Sequence, residues 1–168
     1  MNISSIDWIE NLYRETAPQL LGYLVRRLGD TAGAEDALQE TFAVVLRHPD
    51  RLHAASSPRA YLFGIARNKA SRAGRSRREN APLPADLPDQ PAAVDPRLES
   101  MREAIGRLKP GFREALELRL QHELSYEEIA EALDVPVGTI RSRLHHAVLQ
   151  LRQALNPSRP QSMERESA

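Results

Sequence analysis

Apolar residues along this chain recur at spacings of three, four and seven, the rhythm of helices with one buried face, and nowhere alternate as a strand requires. Ile9, Leu12, Tyr13, Leu20, Leu21, Leu24 and Leu28 predict a first helix, with Pro18 kinking or splitting it and Gly29-Asp30 ending it. A second runs from about Ala34 to Arg47 with Ala37, Leu38, Thr41, Phe42 and Val45 inward, and His48-Pro49 stops it. Residues 49–57 read as a loop, after which Ser57-Pro58 starts a helix striped by Tyr61, Leu62, Ile65 and Ala66. Asp95-Pro96 opens another, with Leu98, Met101, Ile105 and Leu108 inward. Lys109-Pro110-Gly111 breaks that one, and a further segment carries Phe112, Ala115, Leu116 and Leu120.

The sharpest pattern follows. Ser125 and Glu128 have the spacing of a capping box, in which the serine hydroxyl and the glutamate carboxylate each accept a backbone N–H of the other's residue. Ile129, Ala130 and Leu133 then share one face, and Asp134 stands where the chain turns, a residue type that tolerates a left-handed backbone. Pro136 suits the first turn of a second helix, whose Ile140, Leu144, Ala147, Val148, Leu151 and Leu155 point inward. At 100° per residue, Ser142, His145 and His146 fall on the opposite face, flanked by Arg141 and Arg143. This is a helix-turn-helix, able to place polar side chains against base edges in a major groove.

Between the two helical modules lies ENAPLPADLPDQPAAVDP (79–96), with five prolines, four acids and no base. Such a stretch is a semi-rigid spacer; at about 3.1 Å per residue it reaches roughly 55 Å, or about 16 base pairs of DNA. The expected organisation is therefore a helical module over 1–78, the linker over 79–96, the helix-turn-helix module over 97–156 and a disordered tail over 157–168. The fold class is all-α, with two small helical domains.

Charge sharpens the functional reading. Lys and Arg total 23 and so do Asp and Glu, an even balance that is unusual for a free-standing DNA binder. The cationic groups are local: Arg59, Arg67, Lys69, Arg72, Arg75, Arg77 and Arg78 fall in residues 59–78 without one acid. No cysteine is present, so disulfides and thiol chemistry are excluded. The first residues lack a signal peptide's basic start and apolar core, and no apolar run is long enough to span a membrane, so a cytoplasmic protein is expected. Neighbouring His145 and His146 point about 100° apart on a helix and have no companion ligand nearby, which argues against a metal site. No phosphate loop, nucleophile elbow or paired carboxylates appear, so neither an enzyme nor a cofactor is expected.

Three segments in this order resemble the sigma factors of bacterial RNA polymerase, specifically the short extracytoplasmic-function group. GAEDALQETFAVVLRH (33–48) is similar to the polymerase-docking part of region 2, SPRAYLFGIARNKASRAGRSRR (57–78) to its promoter-melting and −10-reading part, and LSYEEIAEALDVPVGTIRSRLHHAVLQLR (124–152) to region 4. The resemblance covers about residues 9–155. It implies that Asp36, Gln39 and Glu40 face core RNA polymerase, although the same residues would otherwise read as an ordinary solvated face. It implies that Arg59 and Tyr61 act near the start of melting, that loop 49–57 helps to hold a flipped −10 base, and that Arg67, Asn68, Lys69 and Arg72 follow the non-template strand. Arg141, Ser142, Arg143 and His145 would approach the −35 element. The implied partners are core polymerase, promoter DNA and a cognate anti-sigma factor.

The chain departs from the family where glycine is common, at Glu123 and Asp134, and in having Tyr61 where the family often has tryptophan. Two other readings fit the bare pattern: a stand-alone helix-turn-helix regulator, and a sigma-like decoy that binds an anti-sigma factor and initiates nothing. The first would need its own basic surface, and the second would be expected to lose the basic readers that are present here.

Overall fold

Residues 3–80 and 96–156 are described in this computed structural model, with side chains over 7–74 and 96–156. They form α1 (Ile3–Leu28), α2 (Thr31–Arg47), α3 (Pro49–Ala54), α4 (Pro58–Asn80), α5 (Pro96–Gly106), α6 (Pro110–Leu120), α7 (Tyr126–Leu133) and α8 (Val137–Leu155). Most of the acidic linker, the 157–168 tail and the side chains of Arg75, Arg77 and Arg78 lie outside the described residues.

The helices of the first module follow their sequence signals, with differences at Pro18, at the start of α2 and in residues 49–57. Pro18 does not split α1, which is one element from Ile3 to Leu28. The residues around it are anchored in the core by Ala17, Leu20, Tyr23 and Leu24, and that burial offsets the lost backbone bond. Gly29 ends the helix at φ +77°, a backbone angle that disfavours any residue with a Cβ. Asp30 then caps α2 three residues earlier than the periodicity indicated, its carboxylate accepting the Gly33 N–H at 2.6 Å.

A further difference lies in residues 49–57, which are not all loop: Pro49–Ala54 make the short helix α3. Pro49 starts it at the position where a missing N–H is harmless, and fully buried Leu52 pins it to the bundle. Ser57 then caps α4 by accepting the Ala60 N–H at 3.2 Å. Leu62, Phe63, Ala66 and Ala70 form the buried stripe of α4, whereas Tyr61 and Ile65 are half-buried.

The second module is built on α7 and α8. Ser125 and Glu128 form the capping box, with the Glu128 N–H donating to the Ser125 hydroxyl at 3.1 Å and the Ser125 N–H donating to Glu128 Oε2 at 2.8 Å. Asp134 closes α7 in the left-handed region (φ 53°, ψ 54°). Glu123 has φ 53° as well, so both positions where the family often carries glycine hold a strained, non-glycine turn. Pro136 is the N-cap of α8 rather than part of its first turn, and its carbonyl accepts the Thr139 N–H at 2.9 Å.

Several inward assignments are corrected. Leu98 and Met101 on α5 are exposed, as are Leu120 at the end of α6 and Val148 on α8. The α5 face is instead fixed by Ala104 and by Leu108 just beyond it, where α5 packs on α8. On α6 the burial shifts to Ala115, Leu116 and Leu118, which leaves Leu120 outside.

The modules do not stand apart. α4 packs on α1 and α2 with one side and on α7 with another, so buried residues of both modules form one continuous cluster. Gly64 makes the approach possible: a Cβ there would sit 3.4 Å from the Ala132 carbonyl oxygen and 3.6 Å from its Cα. Any side chain larger than alanine would push into α7.

Candidate nucleic-acid interface

The helix-turn-helix presents its expected face. Ile140, Leu144 and Ala147 hold α8 in the core, which turns Arg141, Ser142 and His145 into solvent. Arg143 is half-buried, its guanidinium lying over Gly111 at the start of α6. His145 and His146 meet edge-on at 5.6 Å, and His146 stacks on Phe112 at 6.1 Å with 14° between the rings. The two imidazoles are thus tied to aromatic neighbours. Among the described residues no group of three or more His, Cys, Asp or Glu side chains is placed to hold a metal.

On the first module, Asp36, Gln39 and Glu40 are exposed on the outer face of α2. Glu40 reaches across to α4 and binds Lys69 Nζ at 2.7 Å, so one expected polymerase contact and one expected strand contact meet each other. Asn68 and Arg72 are exposed beside this pair on α4.

The other α4 residues face the second module. The Arg67 Nε donates to Glu114 Oε1 of α6 at 2.9 Å. The same oxygen receives Arg27 Nη1 at 2.9 Å and the Tyr23 hydroxyl at 3.1 Å. Glu114 is only 7% exposed, and two guanidinium groups with a phenol satisfy its buried charge. Burial, and then the Glu114 carboxylate, push the Tyr23 pKa above its ordinary value, so this phenol stays a donor. One turn along, Arg26 Nε binds Glu117 at 2.6 Å. Arg59 donates to Gln19 and to the His122 carbonyl. The Ser57 hydroxyl donates to Glu128 Oε1 at 2.7 Å, so Glu128 caps α7 with one oxygen and ties down the start of α4 with the other.

His122 sits at the centre of this contact, against Phe63 at 4.9 Å and Tyr23 at 6.0 Å. Its Nε2 lies 3.0 Å from Arg26 Nη2, which can only donate; the imidazole therefore accepts there and carries its proton on Nδ1. That Nδ1 is buried with no hydrogen-bond partner. Burial, with the charges of Arg26 and Arg59, lowers the His122 pKa to about 4. Tyr61 does not join this network; it stands on the wall of an open groove with Arg51, Ala55, Glu131, Val135 and Val137, where loop residues of the first module face the α7–α8 turn of the second.

The structure therefore brings Arg59 and Arg67 together with Glu114, Glu117 and His122, none of which the sequence singles out. Glu114 lies four residues before buried Leu118, so its inward register is legible in the helical period. Its partners come from α1 and α4, and no local pattern announces them.

Comparisons with known proteins agree with this architecture. The Sigma-70 region 2 family matches residues 12–80, and Sigma-70, region 4 matches residues 98–151. The Bacillus subtilis RNA polymerase sigma factor YlaC is 32% identical over 91% of this chain and 95% of its own length. The Mycobacterium tuberculosis ECF RNA polymerase sigma factor SigL is 34% identical over 86% of each chain. Among solved structures, the Bartonella quintana sigma factor RpoE in complex with the anti-sigma factor NepR superposes with a TM-score of 0.65 at 26% identity, covering 90% of this chain and 98% of that one. CnrH in complex with the cytosolic domain of CnrY gives 0.61 at 25% identity, covering 89% and 88%. With both helical regions matched in order and relatives aligned over nearly their whole length, the chain belongs to the extracytoplasmic-function group of RNA polymerase sigma factors.

Proposed function

We propose that this alternative sigma factor joins core RNA polymerase in the cytoplasm, directs it to specific promoters and helps to melt the −10 region, with no chemistry of its own. The observation that carries the reading is the outward face of α8: Arg141, Ser142 and His145 stand exposed on a helix whose opposite side is locked in the core. A recognition helix held this way can enter a major groove without rearranging, and each good base contact contributes about 1–3 kcal/mol of discrimination. Arg143 adds a guanidinium at the edge of that face.

The division of labour follows the two modules. Residues 1–78 dock on polymerase through Asp36, Gln39 and Glu40 and engage the −10 element through Arg59, Tyr61, Arg67, Asn68, Lys69 and Arg72. Residues 97–156 read the −35 element, and residues 79–96 set the distance between the two. The even charge balance supports recruitment through polymerase, since a chain with no cationic excess gains little from phosphates alone. A cognate anti-sigma factor is the further partner of this reading; the structural relative RpoE is found with the anti-sigma factor NepR, and CnrH with the cytosolic domain of CnrY.

The test is transcription in vitro from a library of genomic fragments, with core polymerase alone and with the protein added. Discrete start sites that depend on the protein, sharing an upstream sequence, are the expected result. Core binding without initiation would identify a decoy, and neither binding nor initiation by folded protein would point to a stand-alone regulator.

A further inference from the structure

One titratable side chain of the second module reaches both α1 and α4 of the first. His122, on the link between α6 and α7, is 4% exposed, with its ring against Phe63 of α4 and Tyr23 of α1. The imidazole is neutral, with its one proton on Nδ1 and its Nε2 lone pair taken by the Arg26 guanidinium at 3.0 Å. A second proton can go only to Nε2, where an N–H would face the N–H of Arg26 and a cation would face a cation. The surroundings offer no relief. Tyr23, Arg26 and Arg27 face the ring's site from α1, and Arg59 and Arg67 from α4. The carboxylates of the second module are already engaged: Glu114 by Arg27, Arg67 and Tyr23, Glu117 by Arg26, and Glu128 by Ser57 and Ser125. Glu123 stands in solvent, and Arg119 is turned to the Leu124 carbonyl. The Nδ1 is buried with no acceptor, so the charged ring would carry two unsatisfied donors.

We propose that His122 makes the contact between the two modules proton-sensitive: a proton on its imidazole parts the second module from α1 and α4, so that acid shifts the free chain toward separated modules. This device belongs to the free chain and does not depend on the initiation reading given above. The groups that cover the ring and oppose its charge, Tyr23, Arg26, Arg59 and Phe63, all belong to the first module. Separation therefore uncovers the imidazole to water and removes the arginines together, and the cost of the charge falls on the closed arrangement alone. The depression of the His122 pKa to about 4 from 6.5 agrees with this geometry. Its sign follows: the closed form binds the proton less well, so the contact is at full strength above pH 6.5 and weakens as the pH falls toward 4. By linkage the ratio of separated to closed chains should rise about tenfold from about pH 7.5 to 5.5. Glu128 stays ionised over that window, because its pKa is held below 4.5. His53 lies against Trp8, and His145 and His146 stand on the outer face of α8, all off this contact.

The experiment uses the full chain, which contains no native cysteine, with donor and acceptor dyes at Arg14→Cys on α1 and Gln153→Cys on α8, both exposed. Energy transfer is followed from about pH 7.5 to 5.0 in this parent and in two variants. His122→Gln keeps an amide oxygen for Arg26 but takes up no proton. Gly64→Ala sets a Cβ 3.4 Å from the Ala132 carbonyl oxygen, which loosens the contact so that both arrangements are populated. In parallel, the imidazole signals of a chain labelled with carbon-13 histidine are titrated by nuclear magnetic resonance, and the signal missing from His122→Gln is that of His122. Transfer should fall with acid in the chains that keep His122, with the ratio of separated to closed chains rising about tenfold, and stay flat in His122→Gln. The His122 signal should titrate at least about one pH unit below the ordinary histidine value. Far-ultraviolet circular dichroism should not change over the range. Transfer that changes in neither chain with His122, an equal fall in His122→Gln, or His122 titrating at its ordinary value in closed chains would each overturn the proposal. Loss of helix in step with loss of transfer would overturn it too, by showing unfolding in place of separation.

Discussion

The two surfaces that this sigma factor would present to DNA differ in one respect. On α8 the candidate reading residues Arg141, Ser142 and His145 stand in solvent, fixed from behind by Ile140, Leu144 and Ala147. On α4 the residues are equally well anchored from behind, by Leu62, Phe63 and Ala66, yet Arg59 and Arg67 are engaged by the other module. One surface is open and the other is partly covered. A recognition face is thus set by its own helix, but its availability is set by whatever packs against it from elsewhere in the chain.

The largest effect should come from the support of the open face. Ile140→Ala removes a fully buried side chain beneath α8, and a cavity there costs about 2–5 kcal/mol. Urea unfolding followed by circular dichroism should show that loss, with the α8 face failing along with its core. Next is the double substitution Arg141→Ala, Arg143→Ala, which should lower promoter-specific transcription about tenfold or more while leaving core polymerase binding unchanged. Equal loss of both in a folded protein would contradict the separation of roles.

A smaller effect belongs to the capping box. Ser125→Ala removes the hydroxyl that accepts the Glu128 N–H and should cost about 1 kcal/mol in thermal or urea unfolding. The Ser125 backbone N–H that binds Glu128 Oε2 remains in this variant, so the bond from the Ser57 hydroxyl to Glu128 should survive.

Acid tests that surface directly. His122 is neutral when folded, with a pKa lowered to about 4 from 6.5, and it faces Arg26 from α1 and Arg59 from α4, with Glu117 paired to Arg26. A depressed folded pKa means the unfolded chain binds the proton first. This contribution to stability is therefore complete above pH 6.5 and is lost as the pH falls toward 4. Glu128 acts in the same direction: burial opposes its ionisation, but hydrogen bonds from Ser125 and Ser57 and the charge of Arg59 outweigh it and hold its pKa below the ordinary value. Urea unfolding at successive pH values should show that loss of stability over the window, and His122→Phe should flatten the part due to the imidazole. The smallest effect is expected at Lys69→Ala, which breaks an ion pair to exposed Glu40 and should change stability by less than about 1 kcal/mol.

How much of this was legible in the chain follows from the range of each signal. The capping box, the left-handed Asp134 and the buried positions Ile129, Leu133, Ile140 and Leu144 are local, and they stand as the residue spacing indicates. Of the positions misjudged, Leu98 and Leu120 lie near element ends and α3 in the gap between stops, whereas Met101 and Val148 lie within their helices. Leu98, Leu120 and Val148 have the right period but no neighbour to cover them, and α3 depends on a single anchor, Leu52. The contact through Glu114 and His122 was not legible at all, because its meaning depends on partners in α1 and α4 that local spacing cannot supply. Gly64 reads in the sequence as an isolated helix-interior glycine, and only the closeness of Ala132 explains it.

The measurement closest to the central claim is footprinting of a promoter bound by core polymerase with the protein, by DNase I for the protected duplex and by permanganate for unpaired bases, comparing Arg141→Ala, Arg143→Ala with Arg67→Ala, Arg72→Ala. The account predicts two distinct defects. The α8 pair should lose protection of the upstream duplex, whereas the α4 pair should keep that protection and lose reactive, unpaired bases in the −10 region. The same defect from both pairs would contradict the assignment of duplex reading to one module and melting to the other.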